Sequence, residues 1–402
     1  ICMIFIPIYH KLKVYTAYEY LESRFDLKTR SLTAVLFLVQ RSLSAGITIF
    51  APSIILSTVL GWDLLTLNII IGSLVIIYTV SGGTKAVNYT QKYQMAVILV
   101  GLVIVLFTIL SLLPEKVNFS NAIKIASVNS KMEVLNFSFD LENRYTVWSG
   151  ILGGTFLMMS YFGTDQSQVQ RYLSGKSLKE MQLGMIFNGV FKIPMQFFIL
   201  FIGVMVFVFY QFNPSPLNFN PQGEEVIVNT VYHNEYIELK ESLEDNFKEK
   251  TLVVNQFLIN ENQELKEKIN SLSEQEQNLR DRAKTLIGKA AVVKNQKIES
   301  NDKDYVFIHF ILENLPKGLI GLLLAVIISA AMSSTSSEIN ALATTTSIDI
   351  LKRNFSYIND DNIVFFTKLM TLFWGLCAIA VACVAYLADN LIQLVNIIGS
   401  IF

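Results

Sequence analysis

Ala330, Ser333, Ser334 and Ser337 fall at i, i+3, i+4 and i+7 in the run PKGLIGLLLAVIISAAMSSTSSEINALATTTSIDIL, residues 316–351. That spacing puts them on one face of an α-helix. The face offers small, uncharged oxygens and lets a backbone carbonyl be approached closely. A hard monovalent cation such as Na⁺ takes oxygen ligands of this kind. Small-residue stripes also serve helix–helix packing in membranes, and the stripe alone leaves both readings open. Lys192 adds a second chemical element, since it sits with Pro194 inside an otherwise apolar run. A charge at membrane depth points to a function or a water-filled cavity. Snorkelling to the interface is the rival reading, and its place well inside the run favours the cavity.

These residues need membrane helices to hold them. The chain has 402 residues, of which 52% are hydrophobic and 16% charged. Soluble domains carry about 25% charge, so most of this chain sits in lipid. A net charge of −1 argues against a nucleic-acid partner. The three cysteines have no metal-site or CxxC spacing, and His10, His233 and His309 are scattered. Hydrophobic windows of about 20 residues predict spans near 31–61, 64–80, 91–113, 146–164, 181–212, 317–347 and 362–388. Partial helices are expected at 1–8 and 390–402. The chain starts and ends inside apolar runs, so it reads as a fragment lacking transmembrane segments at both ends. Lys and Arg in loops 9–30, 171–180 and after residue 347 all fall on one side when the spans alternate. That side is cytoplasmic by the positive-inside rule.

Two interruptions are expected. Gly150, Gly153 and Gly154 loosen one helix, which turns polar at GTDQSQ just after Tyr161 and Phe162; Lys192 and Pro194 interrupt another. Broken helices in membranes mark transporters. The stretch 213–305 differs in kind, with 12 Lys and Arg against 17 Asp and Glu. The topology puts it outside the cytoplasm. Leu258, Leu265, Ile269, Leu272, Leu279, Ala283 and Leu286 keep a nearly heptad rhythm there, with lapses at Asn262 and Glu276. That pattern suits a helix partner or self-association through 255–288, or equally a solvated helical hairpin. The domains read as a membrane part over 1–212, an insertion over 213–305 and a second membrane part over 306–402.

Four runs taken together, FIPIYHKLKVYTAYEYLESRF, YTVSGGTKAVNYTQKYQ, YFGTDQSQVQRYLSGKSLKE and ISAAMSSTSSEINALATTTSIDIL, resemble the sodium:solute symporter family. The likeness runs through nearly all the membrane part and leaves out 213–305. It implies an all-α inverted-repeat fold of five plus five core helices, with alternating access to a midplane site. On that map the chain begins at the end of core helix 2 and stops early in core helix 10, so core helix 1 is absent. The resemblance places sodium on the carbonyl of Ala330 and the hydroxyls of Ser333 and Ser334. Some members hold a second sodium, and Ser336 and Ser337 match it. Gln91 stands in YTQ where those members have Asp, which argues for one sodium per solute.

Tyr161 and Phe162 match the family's aromatic pair over the solute. Lys192 and Gln393 match residues that face the sugar in some members, while Met158 replaces a sugar-binding Asn. Asp165, Gln166, Gln170 and Arg171 form the family's intracellular-side motif. The expected function is sodium-driven symport of a small polar organic solute, sugar-like by these matches. A solute-sensing domain of a larger signalling protein is the alternative. An enzyme is disfavoured, since the spans carry no nucleophile–base pair, HExxH or phosphate loop. Richness in Asn, Lys, Ile and Phe suggests a bacterial source, and hence the inner membrane.

Overall fold

The computed structural model describes residues 1–385 apart from 134, 141–145, 297–301, 356–357 and 360, with the side chains of 58, 83–90 and 304 also left aside. All its described elements are helical. In order they are α1 (Phe5–Leu12), α2 (Ala17–Arg24), α3 (Leu27–Leu60), α4 (Leu64–Leu112), α5 (Phe119–Val128), α6 (Val147–Gly163), α7 (Gln166–Leu173), α8 (Leu178–Phe209), α9 (Pro221–Ile227), α10 (His233–Ile259), α11 (Gln263–Val293), a 3-10 turn Lys303–Tyr305, α12 (Val306–Asn314), α13 (Lys317–Thr345), a π-helical turn Thr346–Leu351, α14 (Lys352–Asn354) and α15 (Ile363–Ala385). Among the described residues, six stretches are long and apolar enough to cross a membrane: Leu27–Ser57, Leu64–Gly82, Gln91–Leu112, Leu178–Phe209, Lys317–Asn354 and Ile363–Ala385. The expected span 146–164 forms α6, at 17 residues just short of the others.

Local signals explain most boundaries. Asp26 caps α3 by accepting from the Thr29 amide at 2.7 Å, and Gly61 ends it in the left-handed region at φ 66°. Thr146 and Ser149 form a reciprocal capping box at the start of α6. The break expected after Tyr161 and Phe162 is present. α6 stops at Gly163, and Asp165 caps a new helix through the Ser167 amide at 2.8 Å.

Two expectations are corrected. α8 runs unbroken through Pro194. Proline removes one N–H donor, and in a membrane the rest of the backbone still has to be satisfied within the helix. Spans 64–80 and 91–113 are joined in one helix, α4, of 49 residues. The intervening GTKAVNYT contains no proline to interrupt the hydrogen-bond ladder.

The chain divides into two compact units, one of residues 1–98, 136–195 and 324–402, the other of 99–135 and 196–323. In the first, α3 packs along α15. A Cβ on Gly46 would come within 2.3 Å of Val381 Cγ1, so only glycine allows this approach. Ile6, Tyr9, Tyr18, Phe37, Ile49 and Ile339 are among its buried core.

In the second unit, α10 and α11 fold back on each other as a hairpin. Ile269, Leu272, Ala283 and Leu286 of the heptad-like stripe are buried there, as are Leu239, Leu243, Val254 and Phe257 of α10. Both lapses in the rhythm have physical reasons. Asn262 is the N-cap of α11 and accepts from the Leu265 amide at 2.8 Å. Glu276 accepts from Lys250 Nζ at 3.0 Å and Arg280 Nε at 3.1 Å. Burial pushes the Glu276 carboxyl up, but the two cations outweigh it and leave it below its ordinary range. Arg280 also donates to Ser215 Oγ and the Pro216 carbonyl, tying the hairpin to the segment before α9.

Candidate functional site

The serine face lies on α13, an unbroken helix through residue 345. Ser333 is 2% exposed, Ser336 and Ser337 are buried, Ala330 is half-buried, and Ser334 is exposed. The buried Ser333 hydroxyl has no hydrogen-bond partner among the described residues. A helical serine ordinarily bonds back to the carbonyl four residues earlier. Here that carbonyl, on Ser329, accepts the Gln94 side-chain amide at 3.0 Å. Ser333 is therefore a buried oxygen with a lone pair to offer, beside the Ala330 carbonyl at i−3 and the Ser334 hydroxyl. An unmet polar group in the interior costs about 1–3 kcal/mol, which a cation ligated there would offset.

The second set of serines is differently engaged. Ser336 Oγ lies 2.8 Å from the Thr79 hydroxyl. Ser337 Oγ accepts from Arg171 Nε at 2.9 Å, and the Ser337 carbonyl from Gln170 Nε2 at 3.0 Å. A guanidinium on Ser337 opposes a cation at the same oxygen. Gln91 is half-buried on α4. Three residues further along α4, Gln94 reaches α13 by donating to the Ser329 carbonyl at 3.0 Å, a contact the sequence reading overlooked.

The solute candidates are dispersed over several elements. Tyr161 and Phe162, both half-buried at the end of α6, pack edge-to-face with ring centroids 4.9 Å apart. Lys192 is exposed on α8, with no hydrogen bond or ion pair to a described residue. Met158 is exposed on α6. Gln393 lies outside the described residues. Asp165 and Gln166 of the GTDQSQ motif do structural work. Gln166 accepts from the Ala17 amide at 3.0 Å and donates to the Tyr15 carbonyl at 3.0 Å, clasping the turn before α2.

Sequence reasoning missed the buried charges around α13. Glu338 Oε1 pairs with Arg41 Nη1 at 3.1 Å, and its Oε2 accepts from Thr48 at 3.0 Å. Arg41 also pairs with Asp165. Further along, Asp349 is fully buried and pairs with Arg30 at 2.6 Å while accepting from Thr16 at 2.7 Å. Their signal was visible, because a charge inside an apolar span is rare without a partner. Only the partner was not, lying about 300 residues away along the chain.

The profile of the sodium:solute symporter family matches residues 1–247 and 283–402, leaving out the tip of the α10–α11 hairpin. The chain is 33% identical over 210 residues to the human sodium/iodide cotransporter, covering 52% of this chain and 32% of that one. It is 36% identical over 187 residues to human sodium-coupled monocarboxylate transporter 1, covering 46% and 30%. It is 34% identical over 216 residues to the rabbit (Oryctolagus cuniculus) sodium-dependent multivitamin transporter, covering 52% and 33%. The matched stretches thus span about a third of each relative's length. Among solved structures, a substrate-bound, outward-open Na⁺-coupled sialic acid symporter superposes with a TM-score of 0.66 at 21% identity, over 99% of this chain and 67% of that one. That likeness bears out the expected all-helical symporter fold. The named relatives are transporters, and the chain, with its apolar helices and matching profile, is a multi-pass membrane protein of the sodium:solute symporter family.

Proposed function

We propose that the whole protein couples sodium entry to uptake of a small polar organic solute by alternating access. Sodium is held by the Ala330 carbonyl and the hydroxyls of Ser333 and Ser334. The observation that carries this reading is the buried, unpartnered Ser333 hydroxyl on the helix face where oxygen ligands were expected. One sodium per solute follows from Gln91 at the motif's acidic position and from Arg171 already bonded to Ser337. Tyr161 and Phe162 cover the solute, and Lys192 and Gln393 contact it. The relatives named for iodide and monocarboxylates carry anions, which suits a site containing an ammonium. A sugar-like solute with an acid group uses both the aromatic pair and Lys192. The protein resides in a bacterial inner membrane with 213–305 outside the cytoplasm. Self-association through 255–288 gains no support, because that stripe packs within its own hairpin.

The test is sodium binding by the purified full-length protein, read as thermal stabilisation on replacing KCl with NaCl at constant ionic strength. A ligand that binds only the folded state raises its stability as concentration passes Kd. Ser333→Ala and Ser334→Ala each remove one neutral oxygen, and each is expected to raise the sodium midpoint at least fivefold. An unchanged midpoint in both variants returns the serines to a packing role.

A further inference from the structure

The charged residues buried between α3 and α13 form a pattern. Arg30 and Arg41 are eleven residues apart on α3, and Asp349 and Glu338 are eleven apart on α13 and the π turn that continues it. Eleven residues make about three helical turns, or ~16 Å of rise. Arg30 pairs with Asp349 at 2.6 Å and Arg41 with Glu338 at 3.1 Å, so the two helical stretches run antiparallel. All four side chains are nearly buried, at 6% and 0% exposure for the outer rung and 10% and 11% for the inner.

Buried ion pairs contribute little net stability, because desolvation cancels most of the attraction, but they can fix a register. A slide by one residue would separate both pairs together and strand the Asp349 and Glu338 carboxylates, while Arg30 keeps Glu22 at 2.6 Å and Arg41 keeps Asp165. We infer that this two-rung ladder sets the axial register of α13 against α3, and that Glu338, one turn beyond Ser334, is the positioning residue for the sodium face. Thr48 and Thr335 brace the inner rung, with their hydroxyls 3.1 Å apart and Thr48 donating to Glu338. Arg41 carries the same constraint to Asp165 at the α6–α7 break. The inference rests on the sodium reading of α13 for its consequence, but the register itself can be measured separately.

Two readouts on the full-length protein separate these claims. The first is the sodium midpoint of thermal stabilisation. Glu338→Gln keeps the shape and removes the charge, and it is expected to raise the midpoint about tenfold. Arg41→Lys keeps the charge but loses the fork that reaches two carboxylates, so it should act in the same direction. Asp349→Asn, on the outer rung, should lower the melting temperature yet move the midpoint less than threefold. The second readout is disulfide formation between Thr48→Cys and Thr335→Cys with the three native cysteines replaced by serine. Crosslinking should be fast in that parent and at least fivefold slower with Glu338→Gln or Arg41→Lys. If Glu338→Gln does not insert, Arg41→Lys supplies both measurements. Unchanged crosslinking in these variants overturns the register ladder. Slowed crosslinking with an unchanged sodium midpoint overturns only Glu338's positioning role. If Ser333→Ala and Ser334→Ala leave sodium binding intact while crosslinking still depends on Glu338, the serine site fails and the ladder stands.

Discussion

Lys192 stands exposed on an apolar helix with no described partner. An ammonium at membrane depth costs roughly 2.5–3.5 kcal/mol on insertion scales, so its retention calls for an offsetting interaction. Lys192→Met keeps the length and removes the charge. Expression should equal or exceed the parent, while the half-saturating solute concentration in uptake assays rises at least tenfold and the sodium midpoint stays within twofold. Equal solute affinity in the variant would make Lys192 a snorkelling residue and remove the reason to expect an acid group on the solute. Residue types alone exposed Ser333 and Lys192 as candidates, because each is unusual in its surroundings. They did not disclose that Ser333 would lack a partner. In the structure the Ser329 carbonyl, at i−4, accepts from Gln94 and not from Ser333, a contact between residues 235 positions apart.

Among the elements, the α10–α11 hairpin and the α6–α7 break show what pattern can and cannot convey. Glycine, Thr and Asp in succession marked the break, and Asp165 caps the new helix as its chemistry dictates. Pro194 suggested a second break that the lipid environment overrides. The heptad-like stripe announced burial but left its partner open, since α10 and a second chain offer the same kind of surface. Glu276 supplies a test of the hairpin. Its carboxyl lies below the ordinary range because Lys250 and Arg280 outweigh the push from burial. A depressed carboxyl contributes stability that is present above the unfolded value of about 4.3 and is lost as pH falls through the lower folded value. Glu276→Gln also strands Lys250, whose side chain is 4% exposed. Breaking such a pair costs about 3 kcal/mol. The difference in melting temperature between parent and variant should be largest near neutral pH and shrink below about pH 4. A difference constant across that range would mean that Glu276 acts through shape rather than charge.

At the scale of the molecule, family membership was legible because four motifs recur in order, each tied to a helix end or a packed face. The union of 64–80 and 91–113 in one helix was not, since hydropathy reports apolar length and not the path of the backbone between two apolar runs. If one sodium enters with one singly charged acidic solute, no net charge crosses, so the potential, worth about 2.3 kcal/mol per charge per 100 mV, adds nothing and the sodium concentration gradient alone drives accumulation. That one-to-one ratio follows from the serine face holding a single cation and from Arg171 occupying Ser337. Gln91→Asp restores an acidic neighbour, but with Arg171 in place it should leave the flux ratio at one. A ratio of two in the parent protein would show that the amide and the shared serine suffice for a second ion.

Sodium coupling is tested most directly by simultaneous flux of labelled sodium and labelled solute into proteoliposomes containing the full-length protein. The solute is first chosen from a panel of neutral sugars, sugar acids and monocarboxylates. An imposed inward sodium gradient should drive transient accumulation of that solute above its equilibrium level, with one sodium entering per solute and no accumulation when potassium replaces sodium. Equal accumulation in potassium, or solute entry that never exceeds equilibrium under a sodium gradient, would contradict it.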